Sequence, residues 1–170
     1  MTIIRIFYPL IPVMRPIIFF LVMTCSLAAS AQQERDTVYK RCPLYITDTV
    51  STNNFFIEGL PATITVDRIK GDLKVVIRQK DQYFTIFFDD KKLRNTKYKL
   101  STSGSGKGIM AKYSFRSGEQ VSYVDVSSGT VETTLDKDKK LWRIKVNGMI
   151  ANLVERSVTY YKVKADFYIR

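Results

Sequence analysis

The chain has 170 residues, 27 basic and 16 acidic side chains, two cysteines and no histidine. That length suits one domain with a core of its own. The missing histidine removes the commonest general base and metal ligand, and two cysteines cannot supply a disulfide framework. The net charge of +11 speaks of anionic partners rather than of a fold.

The first segment reads as an export signal. Ile17-Ile-Phe-Phe-Leu-Val-Met23 is an apolar run, preceded by Arg15 and leading to Ala29-Ser30-Ala31 and then Gln32. A positive start, a short apolar stretch and a small-x-small site are the parts of a secretory signal, and the run falls short of the roughly 20 residues of a membrane span. Residues 1–31 are therefore expected to be removed between Ala31 and Gln32. Upstream, the stretch from Ile3 to Val13 is broken by Arg5, Pro9 and Pro12, whereas Met14-Arg15-Pro16 opens a well-formed signal by itself. Translation is expected to start at Met14, and peptides from Thr2 to Val13 on the nascent protein would contradict this. The competing reading is a retained anchor. Lipidation of Cys25 is disfavoured because Thr24 stands where a lipobox has Gly or Ala.

Cleavage takes away Arg5, Arg15 and no acid, leaving 25 basic against 16 acidic side chains, a net charge of +9. It also removes Cys25, so the remaining Cys42 has no internal partner. With no histidine to activate it, Cys42 reads as a small buried hydrophobe beside Pro43.

Residues 32–36 are polar and predict a flexible lead-in, with a single β domain over 37–170. Ala62 to Asp67, Leu73 to Arg78 and Tyr83 to Phe88 alternate apolar and polar residues, with turns at Gly71 and at Lys80-Asp81. Lys97 to Leu100 alternates charge with bulk. Ile109, Ala111, Tyr113 and Phe115 share one face of the next strand. Ser117-Gly118 then predicts a turn into Val121 to Val126, and Ser127-Ser128-Gly129 a second turn into Val131 to Leu135. After a charged loop from Asp136 to Lys140, the strand bearing Trp142, Ile144 and Val146 is expected to end at Asn147-Gly148, a strong hairpin dipeptide. Met149 to Arg156 fits either a strand or a helical stripe of Ile150, Leu153 and Val154. In the last strand, Tyr161, Val163, Ala165, Phe167 and Ile169 oppose Lys162, Lys164, Asp166, Tyr168 and Arg170. About ten strands at a spacing of roughly ten residues predict an all-β antiparallel meander, a sandwich or a closed barrel.

Few residues carry visible chemistry. Gly104-Ser-Gly-Lys-Gly108 lacks the first glycine and the Ser or Thr of a phosphate-binding loop and is followed by strand, so it reads as a hairpin loop. Asp89-Asp90 lies directly before Lys91-Lys92, as in a solvated turn. No catalytic, metal-binding or cofactor-binding set is predicted, and the chain reads as a binder rather than an enzyme. The candidate anion-binding residues are Lys91, Lys92, Arg94, Lys97 and Lys99; Lys137, Lys139 and Lys140 form a second basic group, and Lys162, Lys164 and Arg170 a third.

Export turns that charge toward a Gram-negative envelope, periplasmic or extracellular: an anionic lipid, an acidic glycan or an envelope protein, with no nucleic acid, no ATP and at most peripheral membrane contact. The plainer reading is lysine guarding exposed strand edges. Two alternatives use the apolar faces. Tyr83, Phe84, Phe87, Phe88, Tyr113, Phe115, Trp142, Tyr161 and Phe167 would suit a lipocalin-like barrel holding a small apolar ligand. The same alternation would suit a small outer-membrane barrel, although several strands are shorter than the 9–11 residues needed to cross. An enzyme of unrecognised type completes the set.

Overall fold

β-Branched and aromatic residues at every second position give each strand one apolar face, and a sheet of such strands buries that face by curling upon itself. The computed structural model describes residues 36–50, 54–56, 58–69, 71–90, 92–102, 108–154 and 157–170. The export signal with Ala31 and Gln32, Cys25, Lys91 and the glycine loop at 103–107 lie outside the described residues.

Ten strands are present among the described residues: β1 (Thr37–Tyr39), β2 (Leu44–Asp48), β3 (Ala62–Ile69), β4 (Asp72–Gln79), β5 (Gln82–Phe88), β6 (Thr96–Lys99), β7 (Ile109–Ser117), β8 (Gln120–Asp136), β9 (Leu141–Val154) and β10 (Ser157–Ile169). They form one antiparallel sheet, ordered β1-β3-β4-β5-β7-β8-β9-β10-β2 with β6 also on β8, curled into a half-barrel. Cross-strand rows set the core. Ile64, Ile77, Phe84, Tyr113 and Val124 are successive partners across β3, β4, β5, β7 and β8. Leu44, Ala165, Val146 and Val131 are partners across β2, β10, β9 and β8. Phe56, Phe84, Phe88 and Phe167 are buried at 1% exposure or less. Full burial of each such ring is worth about 1.5–3 kcal/mol.

Two expected turns are strand instead. Ser127-Ser128-Gly129 lies inside the 17-residue β8, and Asn147-Gly148 inside β9, which runs on to Val154 through the segment that also fitted a helix. The register between β8 and β9 slips at Val126/Ser128, a bulge, and Gly129 and Gly148 then face each other across the ladder. Glycine marks these places because a side chain does not fit. A Cβ on Gly148 would stand 2.8 Å from Val126 Cγ1 and 3.3 Å from the buried Leu100 Cδ1, and one on Gly129 would lie 2.3 Å from the Asn147 carbonyl oxygen. Here β8 changes partner: Gln120 to Asp125 pair with β7, Val126 onward with β9, and Thr130 to Thr133 also with β6.

The two outer strands of the sheet belong to one short chain segment. β1 pairs with β3, while β2, four residues later, pairs with β10. Tyr39 ties the two sides: its hydroxyl donates to the Tyr168 carbonyl at 2.9 Å and accepts from the Tyr168 amide at 2.8 Å. Between them Cys42 is 1% exposed, its thiol donating to the Leu44 carbonyl at 3.6 Å and held above its ordinary pKa by burial.

Gly129→Ala combines backbone strain at φ +135° with overlap onto a carbonyl and is expected to cost about 3 kcal/mol or more. Gly118→Ala, at φ +59° with nothing within 4 Å, should cost only about 1 kcal/mol. Urea unfolding of the two variants measures the difference, and equal costs would show that Gly129 is not a constrained position.

Candidate functional site

The outward faces of β2, β6, β8, β9 and β10 carry polar residues, since their apolar neighbours in sequence point into the core. The ladders place these outward residues in two rows. Tyr45, Lys164, Asn147 and Thr130 are successive partners across β2, β10, β9 and β8. One step along, Asp166, Lys145, Glu132 and Lys97 are partners across β10, β9, β8 and β6. Between the rows lies a depression of about 510 Å³, lined by these eight residues and walled by Pro43.

Its electrostatics favour anions. Three lysines from three strands, Lys97, Lys145 and Lys164, meet two carboxylates. One of these is already engaged: Arg143 Nε and Nη2 donate to the two oxygens of Asp166 at 2.8 and 2.6 Å. This bidentate pair holds the Asp166 carboxyl below its usual pKa. Tyr45 stays a neutral phenol, pushed up by burial and by the facing Glu58 carboxylate. The depression thus offers ammonium groups, a flat aromatic ring, an amide and a hydroxyl. Such a surface can bind a carboxylated, sulfated or phosphorylated polymer and stack on a sugar face. Beside it, the Lys139 ammonium sits 4.3 Å from the Tyr168 ring centroid and donates to its hydroxyl at 3.1 Å.

The predicted basic cluster is divided by the fold. Lys97 and Lys99 lie on the outward side of β6, opposite Tyr98, which packs edge-on against Phe88. Arg94 turns back to Asp90 at 3.5 Å, an exposed pair worth at most about 1 kcal/mol. Lys92 lies elsewhere, at one end of the half-barrel beside Arg68 and Arg170. The segment between β5 and β6 is pinned to β8, where the Thr133 hydroxyl donates to the Arg94 carbonyl and the Leu135 amide to Asn95 Oδ1 at 2.6 Å. Lys145, Asn147 and Tyr45 were not singled out as site residues. Their signal was only the outward phase of strands whose partners a sequence does not reveal. Among the described residues no group of three or more Cys, Asp or Glu side chains is placed to hold a metal ion.

A second concavity opens at the other end of the half-barrel. Beyond the Val126–Ile150 pair, β8 stays with β7 and β9 with β10, so the two hairpins part. The cleft there, about 410 Å³, is lined by Phe55, Tyr113, Phe115, Val124, Ile150, Asn152 and Tyr161. Phe55 stacks on Tyr113 with ring centroids 5.5 Å apart and meets Tyr161 at 4.9 Å. Gln82 pins the arrangement, donating to the Phe55 carbonyl at 2.8 Å and accepting from the Tyr113 hydroxyl at 3.0 Å.

No family model matches the sequence, and no characterised protein or solved structure is significantly similar to it.

Burial pushes the Tyr113 phenol up to about 12, against about 10 in an unfolded chain. The neutral phenol therefore supports the fold fully below pH ~10, and that support is lost as the pH rises toward 12. Ultraviolet phenolate titration of the wild type should show late-ionising tyrosines, one fewer of them in Tyr113→Phe, and the variant's stability should decline less over that interval. A variant titrating like the wild type would contradict the assignment.

Proposed function

We propose that this chain is an exported, non-enzymatic β domain of a bacterial envelope that binds an anionic polymer, an acidic glycan in the first place, along the outward face of β2, β6, β8, β9 and β10. The observation that carries this reading is the depression in which Lys97, Lys145 and Lys164 converge beside Tyr45, with Asp166 already committed to Arg143. Lysines on strand faces are hydrated and mobile, so they recognise charge density rather than one rigid ligand. A polymer meeting several of them at once gains by multivalency what each contact lacks. Most apolar strand residues are packed into the core, and the outward rows around the depression carry ammonium, carboxylate, amide and hydroxyl groups, which supports a domain working in water or at a surface rather than across a bilayer. Export itself rests on the segment from Arg15 to Gln32.

The mouth cleft favours a second reading, a small apolar ligand. Four aromatic rings and one amide around 410 Å³ would suit a flat or branched hydrophobic molecule, and the packed interior leaves the end of the half-barrel as its place.

Native mass spectrometry of the protein taken from its own envelope separates these readings: a retained acidic glycan supports the first, a retained small hydrophobe the second. For the first, Lys97→Glu with Lys164→Glu should weaken binding to an acidic polysaccharide about tenfold or more. Wild-type affinity should fall steeply with salt as the screening length shrinks from about 10 Å at 0.1 M to about 3 Å at 1 M. Equal binding to a neutral polysaccharide, or an unchanged affinity in the double variant, would overturn it.

A further inference from the structure

At the end of the half-barrel opposite the aromatic mouth, the fold gathers cations from three distant stretches of chain. Arg68 comes from the end of β3, Lys92 from the connection after β5, and Arg170 from beyond β10. Together they line a cavity of about 330 Å³ whose floor is Leu73, Leu93, Trp142 and Ile169. Trp142 and Ile169 are direct partners across β9 and β10, and Leu73 faces Arg68 across β3 and β4. Leu73 and Ile169 are 2% exposed, while all three cations are exposed, so an apolar base lies beneath a charged rim. The volume sits at the lower end of small-molecule sites, roughly 300–1,000 Å³.

Among the described residues the lining side chains include three cations and no carboxylate. Of the acidic residues nearby in sequence, Asp67 lies 3.9 Å from Lys74 and Asp90 3.5 Å from Arg94, while Asp72 and Asp89 are exposed outside the lining. A neutral hydrophobe would leave the rim unused, and a bare anion would leave the tryptophan and leucines unused. Guanidinium groups suit planar or tetrahedral oxyanions, and a ring with two leucines beneath suits a short hydrocarbon.

We propose that this cavity binds a small anionic amphiphile, a carboxylate or phosphate head on a short apolar tail, with Arg68, Lys92 and Arg170 holding the head and Trp142, Leu93 and Leu73 the tail. The site shares no residue with the outward depression of β6, β9 and β10, so it stands or falls independently of glycan binding there.

Trp142 is the only tryptophan in the chain, which makes its emission a reporter of this cavity. The mature full-length protein is titrated with octanoate and with octyl phosphate below their micellar concentrations, and with octanol and inorganic phosphate as the tail and the head alone. Either amphiphile should give a saturable change in Trp142 emission, with octanol and inorganic phosphate each at least about tenfold weaker. The stronger of the two anions identifies the head group. Lys92→Glu with Arg170→Glu, both exposed positions, should weaken the response about tenfold or more while leaving the thermal unfolding midpoint in place. Lys92→Gln should give a smaller loss, and Lys97→Glu with Lys164→Glu none. The proposal is overturned if octanol matches octanoate, if neither amphiphile gives a saturable response, or if the Lys92/Arg170 variant binds as the wild type does.

Discussion

The close approach of β8 and β9 at Gly129 and Gly148 is the constraint on which the rest of this structure depends. β8 is 17 residues long in a twisted sheet and changes neighbours part-way along, from β7 to β9 and β6. It makes the change with a bulge after Val126 and two facing glycines. The bulge increases the local twist, and the missing Cβ atoms let Val126 and Leu100 pack where side chains would stand. One continuous sheet therefore becomes two faces that close on a common core. The same bend separates the β7–β8 hairpin from the β9–β10 hairpin, which creates the aromatic mouth, and it frees the edge of β8 on which β6 lies with Lys97 and Lys99.

At the opposite side the sheet is held by the segment from β1 to β2, which is shared between its two outermost strands. The Tyr39 hydroxyl both donates to and accepts from the backbone of Tyr168, and the Asp166 amide donates to the Pro43 carbonyl at 3.2 Å. These bonds place Tyr45 beside Lys164. They also bring the start of the β domain to its last strand, so that contacts far apart in sequence close the core. A topology so dominated by non-local pairing folds slowly in general.

The basic side chains are dispersed by this architecture into places of different chemistry. On the outward face they stand among polar and aromatic groups over a shallow depression, a setting for extended, hydrated, charged polymers. At the end near Trp142 they rim an apolar base, a setting for a small amphiphile. Others are used internally: Arg143 by Asp166, Arg94 by Asp90, and Lys112 by Asp125 at 3.6 Å and by the Tyr123 ring at 5.0 Å. Net charge alone would not distinguish these roles. What distinguishes them is the surface on which each cation is mounted, since an ammonium beside a carboxylate is largely neutralised whereas one beside a hydrophobe is not.

The alternation of apolar residues was sufficient for the strand class. It grouped Ile109 with Ala111, and Val163, Ala165, Phe167 and Ile169, on single faces that are buried, and read the hairpins around Gly71, Lys80-Asp81 and Ser117-Gly118, because those features depend only on period-two geometry and local turn chemistry. It read Gly129 and Gly148 as turns where they are interior positions of long strands, since glycine serves a turn and a bulge alike and only the partner strand shows which. It passed over β1 and β2, too short or too irregular to stand out. Above all it grouped cations by nearness along the chain. Lys92 and Lys97, five residues apart, lie in different sites, whereas Lys97, Lys145 and Lys164 converge because four strands pair in one register. Composition and periodicity are local properties, and they determined the strands and the charge; which side chains meet is a property of strand order, and only the curled sheet decided it.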